Sequence, residues 1–396
     1  MIPRLLGPYL RRDAGLYPVV TLTGPRQSGK TTLCRAVFPD HDYRSLELPD
    51  QRLFAREDPR GFLAACEGPV ILDEVQHVPE LLSYIQVAVD EDPTPGRFVL
   101  TGSHNLLLRS QVSQTLAGRS GILNLLPLSR AELDRQEQPE PVSSGALFGN
   151  RETGQELWPL LHSGGYPRIH DRALPPGIWL PDYIQTYLER DVRSLAAVGD
   201  LATFERFLAL CAGRAAQLLN FSALASDTGI SVDTARRWIS VLQATFVLFL
   251  LPPHHRNFNK RMVKTPKLFF HDTGLLCQLL GIREPDQIAT HPLRGALFEN
   301  FVVAEVAKAF LHHRIGPPIF FWRDRTGHEV DLLIDHGTVL QPVEIKSSQT
   351  AVPELLDGLR WWMGKAGEVA GAPTLVYAGP ESRSHSGIAI RPWFSV

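Results

Sequence analysis

The 396-residue sequence is poor in cysteine: Cys34, Cys66, Cys211 and Cys277 are its only four, and they stand far apart. That scatter excludes the close paired spacing of a zinc site and the dense pairing of a disulfide scaffold. The four read as buried thiols in a reducing compartment. Long apolar runs are also missing. The most apolar stretch, near Phe246–Leu251, is far too short to cross a bilayer, so no membrane partner is expected. Met1 to Arg12 lacks the apolar region and cleavage site of a secretory leader, and the expected location is the cytoplasm. Neither sign of charge dominates. Forty Lys and Arg against 42 Asp and Glu give a formal net charge of −2, so any surface for a polyanion must be local. No internal repeat and no low-complexity tract is visible.

What is present is ordinary soluble-protein material, 44% hydrophobic and 21% charged, enough to bury real cores. The length suits two to four domains. The most informative stretch is Val19-Val20-Thr21-Leu22-Thr23-Gly24-Pro25-Arg26-Gln27-Ser28-Gly29-Lys30-Thr31-Thr32-Leu33. A β-branched apolar run enters a glycine-bounded turn, and a helix-forming segment follows. Gly24, Gly29, Lys30 and Thr31 fill the phosphate-binding pattern G-x-x-x-x-G-K-[ST] in its strand–loop–helix setting. Backbone N–H groups of such a loop curl around phosphate oxygens, which side chains would obstruct. The opening helix adds its positive end. The pattern therefore predicts a nucleoside triphosphate held by Gly24, Pro25, Arg26, Gln27, Ser28, Gly29, Lys30, Thr31 and Thr32. Lys30 reaches the β- and γ-phosphates, and the Thr31 hydroxyl ligates Mg²⁺.

The run Pro69-Val70-Ile71-Leu72-Asp73-Glu74 is an apolar strand ending in two acids. Beside a phosphate loop, Asp73 is placed to hold Mg²⁺ through water, and Glu74 to orient and deprotonate the attacking water. Standing alone, the pair would equally well open the next helix. A further strand, Arg97-Phe98-Val99-Leu100-Thr101, runs into Gly102-Ser103-His104-Asn105. Ser103, and after it Thr101, is a candidate to report the γ-phosphate; a plain Gly-Ser turn is the alternative. Arg119 in Leu116-Ala117-Gly118-Arg119 is a candidate charge-neutralising arginine, acting in its own site or a neighbour's, or else a surface residue.

These stretches resemble an AAA-like ATPase in which the catalytic glutamate directly follows the strand aspartate. More closely, Gly-Pro-Arg-Gln-Ser-Gly-Lys-Thr-Thr, Leu-Asp-Glu-Val-Gln, Leu-Thr-Gly-Ser and Leu-Ala-Gly-Arg resemble prokaryotic AAA ATPases that carry a C-terminal domain of uncharacterised function (DUF4143 type). The blocks Gly164-Gly165-Tyr166-Pro167 and Tyr187-Leu188-Glu189-Arg190-Asp191 are similar to that family's middle region, and the resemblance covers nearly the whole chain. It implies ATP and Mg²⁺ as cofactors. Arg190 could contact nucleotide, or pair with Glu189 or Asp191 on a helix surface.

Residues 217–251 read as a short helix, the turn Gly229-Ile230-Ser231, and a second helix carrying Arg236 and Arg237, a helix-turn-helix layout. After Pro252-Pro253 comes a basic segment with His254, His255, Arg256, Lys260, Arg261, Lys264 and Lys267. A hairpin there would make a winged helix, with Arg236, Arg237, Arg256, Lys260, Arg261 and Lys264 on DNA. A lid or protein-docking module is the competing reading.

At the C-terminal end, Glu299 lies in a helical stretch, Asp331 in a strand, and Glu344 and Lys346 alternate on one face of the next strand. This ordered set resembles the restriction-endonuclease-like (PD-(D/E)XK) core. Glu299, Asp331 and Glu344 would be metal ligands, and Lys346 would stabilise developing charge. A structural ion-pair cluster remains the alternative. His328 and Glu329 read as outer or surface groups. The expected fold is α/β: an ATPase domain with a parallel sheet over 1–130, linker and helical lid over 131–200, winged helix over 201–268 and a mixed nuclease-like domain over 269–396. The expected function is ATP hydrolysis acting on DNA, branched or broken DNA included, with Mg²⁺-dependent cleavage as a second activity. The alternative is a nucleotide-dependent switch that binds a protein partner; self-association is open.

Overall fold

The apolar strand before the phosphate loop lies inside the first sheet, flanked by a strand on each side. In the computed structural model, which describes residues 2–103, 115–135, 147–149, 152–187, 200–254, 264–324 and 326–396, that sheet runs β2-β3-β4-β1-β5. Its strands are β1 (Val19–Thr23), β2 (Asp42–Ser45), β3 (Val70–Asp73), β4 (Phe98–Gly102) and β5 (Ser120–Asn124), all parallel. All residues of β1, β3 and β4 are buried, as sheets covered by helices on both faces require. One face packs Val19, Leu72 and Leu100 against Ile85 and Phe62, the other Val20, Leu22 and Val99 against Leu33 and Leu10. The register Leu22↔Thr101 and Leu72↔Leu100 sets the carboxyl ends of β1, β3 and β4 side by side. β2 ends at Ser45, and Pro49 then starts the helix Pro49–Glu57 at a position where its missing N–H costs nothing.

Residues 131–200 were expected to be linker and helical lid. Among those described, Leu147 and Phe148 are buried in the main core, and the Phe148 carbonyl accepts from Arg391 Nε at 3.2 Å. Helices then dominate to Ala244: Leu157–Ser163, Pro167–Asp171, Pro176–Tyr187, Leu201–Ala212, Phe221–Thr228 and Val232–Ala244. Gly229 takes the left-handed conformation (φ 82°) that ends Phe221–Thr228. Ser231 caps the next helix by accepting from Thr234 N–H at 3.1 Å. Trp238 wedges between Phe204 and Phe207, with ring centroids 4.9 and 5.1 Å away. β6 (Leu248–Leu251) and β7 (Lys267–Phe270) form an antiparallel pair.

Beyond this pair, the 19-residue helix Arg294–His312 lies across a six-stranded mixed sheet ordered β12-β13-β11-β10-β9-β8. Its strands are β8 (Ile319–Arg323), β9 (Glu329–Asp335), β10 (Leu340–Lys346), β11 (Thr374–Tyr377), β12 (Arg383–His385) and β13 (Ile388–Pro392). The last two had no strand expectation, since β12 is fully exposed and carries no apolar pattern. A single apolar core runs from Phe207 and Leu242 through Phe270 to Phe298, Leu332 and Val343. The Asn300 side chain stitches it by donating to Phe270 O at 2.9 Å and accepting from Phe270 N–H at 2.7 Å.

Candidate functional site

The phosphate loop is shaped by two backbone requirements. Gly24 passes so close to β5 that a Cβ there would stand 2.1 Å from Leu125 O. Gly29 (φ 91°, ψ 21°) turns the chain into the helix Lys30–Val37 from a left-handed conformation that glycine adopts freely. The loop, Lys30, Thr31, Thr32, Asp73 and Glu74 line a cleft of about 540 Å³. Lys30 is buried and its Nζ donates to the carbonyls of Gly24 (3.0 Å) and Pro25 (2.9 Å). Burial lowers its pKa, against the opposing charges of Glu74 and Asp73.

Asp73 sits at the tip of β3 and takes hydrogen bonds from three hydroxyls. Thr31 Oγ1 lies 3.1 and 3.0 Å from its two oxygens, Tyr43 OH donates at 2.8 Å, and Thr101 Oγ1 donates as well. Burial and the Asp73 carboxylate push the Tyr43 phenol up to about 12. The next residue, Glu74, turns left-handed (φ 55°), which swings its carboxylate to Ser103 Oγ (3.2 Å) and to the Gln76 amide. Gln76 Nε2 also reaches Ser103 Oγ at 3.2 Å. Such a conformation is costly for a non-glycine residue and is found where a side chain must be aimed. Ser103 thus contacts the candidate base itself.

Several residues of this region carried no expectation: Arg4, Tyr43, Gln76, Arg168 and Arg172. Arg168, Asp171 and Arg172 bring the helix Pro167–Asp171 and its end to the open side of the cleft. Arg4 lies under the loop, donating to Ser28 O (2.6 Å), Leu126 O (2.6 Å) and Glu132 Oε1 (3.0 Å). Glu132 is fully buried. Burial would raise its carboxyl, but Arg4, His312 and backbone N–H groups outweigh that and hold it at about 2. Only Gln76 had a sequence signal, being two residues beyond the acid pair. Arg4 is distant in sequence from everything it binds.

Arg119 is not on this cleft. Its guanidinium pairs with Asp90, Nη2 to Oδ2 at 3.0 Å, on a partly exposed surface, which removes it as a charge-neutralising group within its own site as arranged. Arg190 with Glu189 and Asp191, and His104 with Asn105, lie outside the described residues.

At the C-terminal end, the four expected residues come together, but not around an open space. Lys346 Nζ binds Glu344 Oε1 at 2.5 Å and Asp331 Oδ2 at 3.3 Å, and Asp331 Oδ2 also accepts from Ile345 N–H at 2.9 Å. Glu299 is paired with Lys267 at 2.7 Å, and the same ammonium binds Glu329 at 2.5 Å. Burial first, then the Asp331 charge, raises the pKa of both Glu299 and Glu344. Among the described residues no three His, Cys, Asp or Glu side chains gather so as to hold a metal ion. The arrangement does not fit a divalent ion as it stands, because a lysine fills each gap between carboxylates. One expectation changes here: Lys267, placed on the basic wing, is buried in β7 with its side chain 4% exposed. Of the two places expected for Glu329, outer group or surface, it takes the outer one, bound to Lys267.

Of the expected DNA contacts, Arg236, Arg237 and Lys264 are exposed, Arg236 lying near Asp233 (4.0 Å) and the Phe221 ring (5.6 Å). Arg256, Lys260 and Arg261 lie outside the described residues, and His254 is buried. No described helix is long and apolar enough to cross a membrane.

A parallel sheet, a phosphate loop at the tip of β1 and an acid pair at the tip of β3, two strands away at the same end of the sheet, define a P-loop ATPase. Comparison with known proteins agrees. Residues 16–133 match the AAA domain family, 154–286 a domain of unknown function (DUF8612), and 294–393 another (DUF4143). An uncharacterized protein of Mycobacterium tuberculosis is 32% identical over 355 residues, covering 89% of this chain and 75% of its own length, and one of Mycobacterium bovis matches identically. The chain belongs to the family of these mycobacterial proteins and is an AAA-type P-loop ATPase. Among solved structures, the Walker-type ATPase of Pyrococcus abyssi aligns at TM-score 0.40 and 18% identity over 70% of this chain and 98% of that one. The RuvB Holliday junction branch migration motor of Thermotoga maritima aligns at TM-score 0.29 and 20% identity, over 62% and 87%.

Proposed function

We propose that the chain couples ATP hydrolysis in the N-terminal cleft to an action on DNA by its middle region. The observation that carries this is the composition of the cleft wall: loop residues of the ATPase sheet on one side, Arg168 and Arg172 next to the helical region on the other. A change in the phosphates is therefore felt by both parts at once. Lys30 gives up two carbonyls and meets the β- and γ-phosphates. Thr31 and Asp73 offer a hydroxyl and a carboxylate about one hydrogen bond apart, hard oxygen donors that suit Mg²⁺. Bound there, Mg²⁺ would neutralise charge on the transferred phosphoryl group. Glu74 orients water for in-line attack and accepts its proton, held on line by Ser103 and Gln76.

Arg236, Arg237 and Lys264 are exposed, and contacts from them to DNA phosphates are part of this reading. Arg119 acts only across a contact with a second copy. ATP turnover measured with and without duplex, single-stranded and branched DNA tests the reading: it predicts stimulation by at least one form, reduced in Arg236→Ala/Arg237→Ala. A second reading, a nucleotide-dependent switch that engages a protein partner and cuts nothing, is favoured by the lysine-capped state of the C-terminal cluster. Turnover indifferent to every DNA form selects it.

A further inference from the structure

The C-terminal cluster contains more cation than a nuclease-like centre would need. We propose that Lys267 is a built-in plug: its ammonium ties Glu299 to Glu329, and so keeps Glu299 from joining Asp331 and Glu344 about a divalent ion while the β6–β7 pair stays docked. The proposal rests on reading Glu299, Asp331, Glu344 and Lys346 as a nuclease-like constellation, and adds how that constellation is controlled.

Three observations carry it. First, Lys267 does not belong to the C-terminal sheet. It enters from β7, whose strand partner is β6, and places its amine 2.7 Å from Glu299 on the long helix and 2.5 Å from Glu329 on β9. One side chain thus joins three separate elements. Second, its amine is buried, 5.6 Å from the Phe321 ring, and is held between two carboxylates. Third, Glu344 Oε2 is buried and accepts no hydrogen bond among the described residues, although Oε1 is bound to Lys346. A buried carboxylate oxygen without a donor is costly. It is an acceptor for which a cation is the natural partner.

The plug has a handle. Pro253 bridges to Phe321 of β8, and Phe321 N–H donates to Pro252 O at 3.1 Å, so the β6 end is fastened to the same sheet that carries Glu329. Whatever draws the β6–β7 pair away withdraws Lys267 and leaves Glu299, Asp331 and Glu344 without it.

Manganese is the probe, because free Mn²⁺ is counted directly by its paramagnetic signal. Binding is measured on the full chain without nucleotide for wild type, Lys267→Met, Lys267→Met/Asp331→Asn and Asp331→Asn, with circular dichroism as the check of folding. The proposal expects no Asp331-dependent binding in wild type. It expects a gained site in Lys267→Met, tighter by at least about tenfold and lost again in the double variant. Lys267→Gln serves if the methionine variant does not fold. Asp331-dependent Mn²⁺ binding in wild type overturns the plug, and so does a folded Lys267 variant that gains none. If the variant takes up Mn²⁺ yet nicks no DNA form, the plug stands and the nuclease-like reading falls.

Discussion

The molecule has two places where acids and a lysine meet, and they are built in opposite ways. In the N-terminal cleft, Asp73 is held by the hydroxyls of Thr31, Tyr43 and Thr101, and Lys30 by two backbone carbonyls. Neutral donors fix a carboxylate without cancelling its charge, so it can still serve a cation. In the C-terminal cluster, Lys267 and Lys346 are themselves the partners of the acids. An ammonium at 2.5–2.7 Å fixes a carboxylate and removes its charge together. The same residue types thus give one centre that keeps a charged carboxylate beside the phosphate loop and one that is self-neutralised. What differs is whether the ammonium points at the acids or at the backbone.

Breaking the support beneath the first centre should have the largest effect. Glu132→Gln leaves the Arg4 guanidinium buried without its carboxylate, and should lower stability by about 3–5 kcal/mol in denaturant unfolding. Its pH dependence sharpens the point. The folded pKa of about 2 lies below the ordinary value of an unfolded Glu. The pair therefore stabilises fully above about pH 4.3 and loses that contribution as pH falls towards 2. Glu132→Gln should lack this acid limb. A variant with wild-type stability and the same acid limb would show that the pair supports nothing.

A smaller effect is expected where neutral donors aim Glu74. Ser103→Ala or Gln76→Ala removes one hydrogen bond to a carboxylate, and kcat should fall about tenfold with KM nearly unchanged. Equal losses in kcat and in nucleotide affinity would place these side chains on the phosphates instead. The smallest is Arg119→Ala. Its exposed pair with Asp90 should be worth less than about 1 kcal/mol to unfolding. A loss of turnover that appears only at concentrations where copies associate would assign Arg119 to a neighbour's site.

The sheet that carries the nucleotide cleft was legible because its signals are local. The buried strands β1, β3 and β4 and a glycine-bounded loop announce themselves within windows of ten residues, and Asp73 and Glu74 close β3 where the pattern puts them. The cleft's supports were not legible. Arg4 meets Glu132 across 128 positions, and no local spacing encodes that. Lys267 misled for a related reason: the sequence before it is basic, with Lys264 exposed, while its neighbours in space are the half-buried acids Glu299 and Glu329. The helix-turn-helix showed through its glycine turn and Ser231 cap, whereas β12 carries no apolar pattern and gave no signal.

The most direct test is a single-turnover comparison of wild type with Glu74→Gln at saturating ATP and Mg²⁺, ATP affinity being measured in parallel. A glutamine keeps the shape and the contacts to Ser103 and Gln76 but cannot take a proton. The account predicts ATP affinity close to wild type and cleavage slower by about 10²–10⁴-fold. Cleavage at the wild-type rate would contradict it, and would move the catalytic base away from the tip of β3.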